Sequence, residues 1–271
     1  STGTTSSPTN VGEQLTKGYT VMLNYAMIKR ENVLWSVNAT LRHLASEYRN
    51  VSRYLDKFNA DNKSKNMLRY YDGGSPSDLW AVRSAGIDAI TGREIFIRKD
   101  GTQTFTHSYD DEVVVGNSDP DFEGVIGTSF YYKGFSISAN FRYRVGGQIF
   151  LSTLYEKVEN ISVDDAYYNQ DKRALYDRWK QPGDNAKFKA ISTTDETPMS
   201  SRFVADNNVF SGESISMGYE SQGKWLRTIG ASSFNVRVYM NDIFRVSTVK
   251  NERGIDYPFA RSVSMSLGLR F

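Results

Sequence analysis

The sequence predicts an all-β fold, a sector of an antiparallel transmembrane β-barrel with long extracellular loops. Three observations lead there. Apolar residues recur at every second position through seven segments, several reaching the roughly 9–11 residues that a tilted strand needs to cross a bilayer. Aromatic residues make up 13% of the 271, with 17 tyrosines and only 6 prolines, a bias toward strands. The connections alternate short and long, as in outer-membrane barrels with tight turns on one side and large loops on the other.

The first strand runs from Tyr19 with Val21, Leu23, Tyr25 and Met27 on one face. After the polar residues 29–32 the alternation resumes as Val33, Trp35, Val37, Ala39 and Leu41, so the two segments form a hairpin, although Met22, Ile28 and Leu34 blur its other face. Residues 46–121 then form a large extracellular loop with a short strand of its own, REIFIRK at 93–99. FEGVIGTSFYY (122–132) and FSISANFRYRV (135–145) are strands three and four, joined by Lys133-Gly134; glycine supplies the positive φ that a two-residue turn needs. A second extracellular loop covers 151–208 and contains the helix-like DKRALYDRWK at 171–180. Strand five lies in 209–220 and strand six in 233–244, with a connection over about 221–232. In FARSVSMSLGLRF (259–271), Phe259, Val263, Met265, Leu267, Leu269 and Phe271 alternate with small and polar residues.

On the polar side of this parity lie Asn140, Arg142, Arg144, Asn235 and Arg237, predicted to face a wet lumen. A soluble β-sandwich is the plainer alternative, since it too has two-faced strands. Arginines on the polar faces, aromatics such as Tyr19, Trp35, Tyr132 and Phe271 near strand ends, and the loop rhythm all favour the barrel.

Composition narrows the chemistry. A net charge of +2 with 24% charged residues gives no reason to expect a nucleic-acid partner. With no cysteine and only His43 and His107, thiolate metal sites, cysteine nucleophiles and His-rich sites lack material; neither metal nor cofactor is expected. A mean hydropathy of −0.50 does not argue against a membrane barrel, whose lumen and loops are polar. The acidic runs Asp110-Asp111-Glu112 and Asp164-Asp165 read as solvated turns rather than as a glycosidase pair, and NSDPDFEG at 117–124 lacks the frame of a calcium loop. No enzyme is predicted. Sequons at Asn38, Asn50, Asn62 and Asn160 are expected by chance in so Asn- and Ser-rich a chain. Within the second loop, Tyr167, Tyr168, Tyr176 and Trp179 beside Arg173, Arg178 and Lys180 form an aromatic–basic cluster; Tyr167, Tyr168, Arg178 and Trp179 are its candidate ligand contacts. The opening STGTTSSPTNVG reads as the middle of a loop, so the chain is expected to be a piece of something longer.

Several stretches resemble the C-terminal portion of SusC-like TonB-dependent outer-membrane transporters: NVGEQLTKGYTVMLNY, AGIDAITGREIFIRKDG, DPDFEGVIGTSFYYKGFSISANFRYRVGG, ALYDRWKQPGD, SISMGYE and the closing MNDIFRVSTVKNERGIDYPFARSVSMSLGLRF, in which DYPFARS and DRWKQPGD are the most telling. The resemblance implies a barrel of about 22 strands, of which these are the last seven, around a plug. It implies TonB-dependent import of oligomeric nutrients, glycans or peptides, with a SusD-like surface lipoprotein as partner. It also implies that the rest of the barrel, the plug and the segment that meets the TonB complex lie in missing parts, and that the outer surface meets outer-membrane lipid. Leu267, Leu269 and Phe271 would then serve as a terminal assembly signal. A secreted β-sheet carbohydrate-binding module is the alternative function.

Overall fold

A computed structural model describes residues 10–164, 167–192, 195–249 and 261–271. The chain divides into two units. One comprises Gly18–Leu44, Pro120–Gly146 and Asn207–Phe271, the other Ser1–Lys17, Ala45–Asp119 and Gly147–Asp206. They are called here the wall and the loop unit.

The wall is built on a seven-stranded sheet made of β1 (Glu13–Arg30), β2 (Val33–Arg49), β8 (Phe122–Tyr132), β9 (Phe135–Val145), β12 (Val209–Ser221), β13 (Ser233–Ser247) and β14 (Val263–Arg270), neighbours in that order, with the Glu13–Lys17 end of β1 and the Ala45–Arg49 end of β2 counted in the loop unit. Each pair whose register is known, from β2–β8 to β13–β14, is antiparallel. Lys133 and Gly134 take φ of 46° and 91°, the two positive values that a tight hairpin turn matched to strand twist requires. Within the described residues β1 and β14 are edges. An unpaired edge in hydrocarbon leaves N–H and C=O groups without partners, so the sheet is a sector and not a closed body.

Pairing confirms the alternation read from the sequence. Trp35, Phe130, Ile137, Met217, Val238 and Met265 oppose one another in a single row across six strands. The adjacent rows on that face are Val33, Tyr132, Phe135, Tyr219, Val236, Leu267, and Val37, Thr128, Ala139, Ile215, Met240, Val263. The face is uncovered by the described chain: Met217 is 53% exposed and Met265 61%. From Phe122 to Tyr132, eleven residues at about 3.3 Å each and tilted about 40° rise on the order of 25 Å, the height of an outer-membrane apolar band.

The strands outrun the apolar pattern. β1 begins at Glu13 rather than Tyr19, β2 continues to Arg49, and β13 continues to Ser247. Periodicity reports only the part of a strand with an apolar face, whereas backbone pairing continues beyond it on polar partners such as the Thr16 and Ser46 hydroxyls, 2.8 Å apart. The β12–β13 connection contains a 3₁₀ turn, Lys224–Ile229, closed by Gly230 at φ 73°. DKRALYDRWK is helical only over Lys172–Tyr176, where Asp171 accepts the Arg173 N–H at 2.8 Å as N-cap. Residues 1–9 of the opening loop, Asp165, and residues 256–260, which carry most of DYPFARS and the start of the predicted last strand, lie outside the described residues.

The loop unit has small sheets, β3 (Asp78–Ala81) with β7 (Val113–Asn117), β4 (Arg83–Ile87) with β5 (Glu94–Ile97) and β6 (Gln103–Thr104), and β10 (Gln148–Phe150) with β11 (Val204–Asp206). A helix, Tyr54–Asn62, precedes them. Val158, Ile161, Ala174, Phe188 and Phe203 form one core cluster and Met67, Leu79, Ala81 and Met199 another. Phe150 and Tyr155 pack against both. The two long insertions thus fold on a shared core.

Candidate functional site

The polar face of the wall is built by register. Asn38, Gly127, Asn140, Ser214 and Asn241 share one row, and Ser36, Ser129, Ser138 and Ser216 the next. Side chains bond along these rows: Ser36 to Ser129 at 2.7 Å, Ser138 to Ser216 at 2.7 Å, and Asn140 Nδ2 to Ser214 Oγ at 3.1 Å. A Cβ on Gly127 would run into the amide oxygens of Asn38 and Asn140, so the row closes up only with glycine there. Toward the ends of β2, β8, β9 and β12 that lead into the loop unit the face becomes charged, with Arg42 beside Glu123 at 3.6 Å and Arg142 Nε beside Glu213 at 3.2 Å. These pairs are half exposed and stabilise by about 0–1 kcal/mol each. Between Gly212 and Ser214 the register slips, and Asp242 opposite takes a φ of 51°; the bulge turns Glu213 to the Arg142 side. Arg144 opposes Glu123, Arg237 lies beside Gly218, and the Asn235 amide fills the space over Gly268. Parity and register thus put Asn140, Arg142, Arg144, Asn235 and Arg237 on one face.

The loop unit buries ions instead. Arg202 bridges two carboxylates, with Nη2 2.9 Å from Glu94 and 2.7 Å from Glu159. Ser200 donates to Glu94 at 2.5 Å and Thr197 to Glu159 at 2.9 Å. Burial works against the Arg202 charge, but the hydrogen bonds to Glu159 and Glu94 outweigh it and hold the guanidinium pKa above its ordinary value. Arg178 is also buried. Its Nη1 donates to Lys189 O at 3.1 Å and its Nη2 to the carbonyls of Val158 and Glu159, so its guanidinium braces carbonyls inside the fold rather than facing a ligand. Trp179 donates through Nε1 to Ala89 O at 2.9 Å and lies against Gly92, whose φ of 69° and missing Cβ make room for the indole. Tyr167, Tyr168 and Tyr176, 86%, 75% and 72% exposed, face solvent, as does Lys180. The cluster is therefore split between anchors and surface.

A cleft of about 330 Å³ opens elsewhere in the loop unit, lined by Lys63, Tyr71, Trp80, Lys99, Tyr109, Asp110 and Glu112. Lys63 follows the helix Tyr54–Asn62, Trp80 stands on β3, and Tyr109 and Asp110 lie in a 3₁₀ turn whose N-cap is Ser108. Tyr71 and Trp80 meet at 5.0 Å between ring centroids with 54° between planes. Glu112 departs from the expected solvated acid: it is 6% exposed, and Arg69 grips both its oxygens, Nε to Oε2 at 3.0 Å and Nη2 to Oε1. Burial, with Glu112 nearby, raises the pKa of both Tyr71 and Tyr109, so the two phenols keep their protons at neutral pH. Because the lining residues spread over fifty positions without a motif, the only local hint in the sequence was the acidic run at 110–112, read as a turn.

No family model matches the chain. The TonB-dependent receptor P39 of Formosa agariphila is 22% identical over 159 residues, 57% of this chain and 15% of that protein. The TonB-dependent receptor P3 of the same organism is 22% identical over 99% of this chain and 30% of its own length. Among solved structures, the RagAB peptide transporter superposes with a TM-score of 0.71 at 18% identity, over 89% of this chain and 27% of that one; the RagAB peptide importer in its closed-closed state gives 0.70 over the same shares. The chain is thus similar, over nearly all of its length, to part of a TonB-dependent receptor, and its fold is that of the matching part of the RagAB transporter. It spans less than a third of the length of these relatives. These likenesses point to the outer membrane, and the uncovered apolar rows of the wall are the lipid-facing kind that such a location demands. No helix of the described residues is long and apolar enough to cross a membrane, and none of their His, Asp or Glu side chains gather in a group of three that could hold a metal.

Proposed function

We infer that this segment of the receptor forms part of the wall and outer loops of an importer that carries oligomeric nutrients, glycans or peptides, across the outer membrane under TonB drive. The observation that carries the reading is the two-faced meander: an uncovered apolar band of about bilayer-core height on one face, and rows of Ser, Asn and paired charges on the other. Relatives named as TonB-dependent receptors and the likeness to a peptide transporter support it. In this reading the polar face, with Asn140, Arg142, Arg144, Asn235 and Arg237, lines the lumen. The plug and the remaining strands complete the barrel beyond β1 and β14, and a SusD-like lipoprotein meets the loop unit, where Tyr167 and Tyr168 offer exposed aromatic contact. Leu267, Leu269 and Phe271 present the outward face of the last strand to the assembly machinery.

Deleting the receptor in its host should abolish growth on at least one oligomeric nutrient while growth on the corresponding monomer persists. Pull-down of the receptor in detergent should bring down a surface lipoprotein. Undiminished growth on every oligomer the host uses would refute the importer reading.

A further inference from the structure

We propose that the cleft of the loop unit binds a uronate residue of an acidic oligosaccharide, with the carboxylate between Lys63 and Lys99 and the sugar ring against Tyr71 and Trp80. The proposal deepens the importer reading and rests on it. At about 330 Å³ the cleft is at the small end of ligand pockets, the scale of one or two sugar rings. Its charge is lopsided. The Glu112 carboxylate is already held by Arg69, leaving exposed Asp110 as the acid that opposes Lys63 and Lys99. Among the described residues no acidic side chain forms an ion pair with either lysine. Two ammonium groups at one cleft therefore await an anion. A carboxylate is the ligand that a pair of three-donor ammonium groups suits.

The rest of the lining selects the class. Tyr71 and Trp80, set at 54°, make an apolar corner for the C–H face of a ring, and the protonated phenols of Tyr71 and Tyr109 are donors for hydroxyls. Peptides are commonly captured by a free strand edge, backbone to backbone, but four backbone donors at this cleft are committed: Trp80 N–H to Met67 O at 2.8 Å, Glu112 N–H to Tyr109 O at 3.3 Å, Lys99 N–H to Asp111 Oδ1 at 3.2 Å and Asp110 N–H to Ser108 Oγ at 3.3 Å. Recognition falls to side chains, which favours a sugar acid over an acidic peptide.

The test is calorimetric titration of the complete receptor, purified in detergent with whatever lipoprotein accompanies it, against three probes: an oligogalacturonate, its methyl-esterified form, and an oligoglutamate of equal charge. Wild type should bind oligogalacturonate, and binding should weaken at least tenfold on esterification, in the Lys63→Gln/Lys99→Gln double variant and in Tyr71→Ala. Absence of oligogalacturonate binding, equal binding by the double variant, or equal affinity for oligoglutamate would each overturn the assignment. Both lysines sit at the surface of the cleft, and unchanged circular dichroism of the double variant excludes misfolding. Growth on oligogalacturonate, followed in parallel, separates the two readings: lysine-dependent binding without receptor-dependent growth upholds the cleft and tells against import, whereas receptor-dependent growth without such binding upholds import and overturns the cleft.

Discussion

In the wall, Met217 and Met265 lie more than half exposed in an all-apolar row, while in the loop unit Glu94 and Glu159 are buried around Arg202. The two units follow opposite burial rules because they answer to different solvents. Lipid makes an exposed methionine cost nothing, and the wall needs only a complete hydrogen-bond ladder between strands. The loop unit must exclude water with two small clusters, and it ties long excursions of chain together with buried ions whose partners come from distant positions: Arg69 with Glu112, Arg202 with Glu94 and Glu159. Such ion pairs fix geometry more than they add stability, but removing one partner strands the other.

That contrast can be broken from either side. The largest effect is expected from Arg202→Met, which leaves two buried carboxylates uncompensated and should destabilise the loop unit by about 3–5 kcal/mol. Hydrogen exchange should show deprotection across residues 147–206 with the β9–β12 ladder unchanged; protection retained in the loops would refute the bridging role. Next, Ile215→Arg places a charge in one of the rows of the apolar band and should cost about 2–4 kcal/mol of membrane stability, whereas Ser216→Arg, one residue on and on the other face, should cost less than about 1 kcal/mol. Urea unfolding in detergent or liposomes compares them, and equal costs would refute the assignment of faces.

A smaller loss, about 1–3 kcal/mol, is expected from Gly124→Ala. The Tyr143 hydroxyl passes over Gly124 to donate to Thr40 O at 2.8 Å, and a Cβ there would collide with both groups. The same urea titration reads it, with Tyr143→Phe as the variant that removes the bond and spares the space. The smallest effect is a pH dependence confined to the loop unit. Burial lowers the His107 pKa below its ordinary 6.5, and the ring packs edge-on to Phe96 and Tyr109 at 5.1 and 4.6 Å. The unfolded chain takes up a proton at higher pH than the folded one, so stability declines as pH falls below about 6.5 and levels off below the folded pKa. Proteolysis of the loops between pH 7.5 and 5.5 should show this, and His107→Phe should flatten it.

The wall was legible in the sequence because its physics is local. A two-residue period, a Lys-Gly turn and short–long spacing need no knowledge of distant partners, and the rows of the sheet follow once register is fixed. The strand ends were less legible, since Glu13–Lys17 and Ala45–Arg49 pair through backbone without an apolar face to announce it. Arg178 and Trp179 were visible as a cluster with Tyr167 and Tyr168, but nothing local told that the first two point into the fold and the last two out. The buried acids were illegible for the same reason: Glu94 meets Arg202 across more than one hundred residues, a distance over which composition carries no signal.

The serines and asparagines of the wall spend their hydrogen bonds on one another, Ser36 with Ser129, Ser138 with Ser216, Asn140 with Ser214. Each of these bonds ties up part of the donor and acceptor capacity of its row, and the rest stays open to water. Water held along such rows can trade places with the hydroxyls of a polar solute at small cost. If this face lines a lumen, as proposed above, its hydroxyl rows would serve as a wetted lining, in contrast to the aromatic and basic side chains that the loop unit presents.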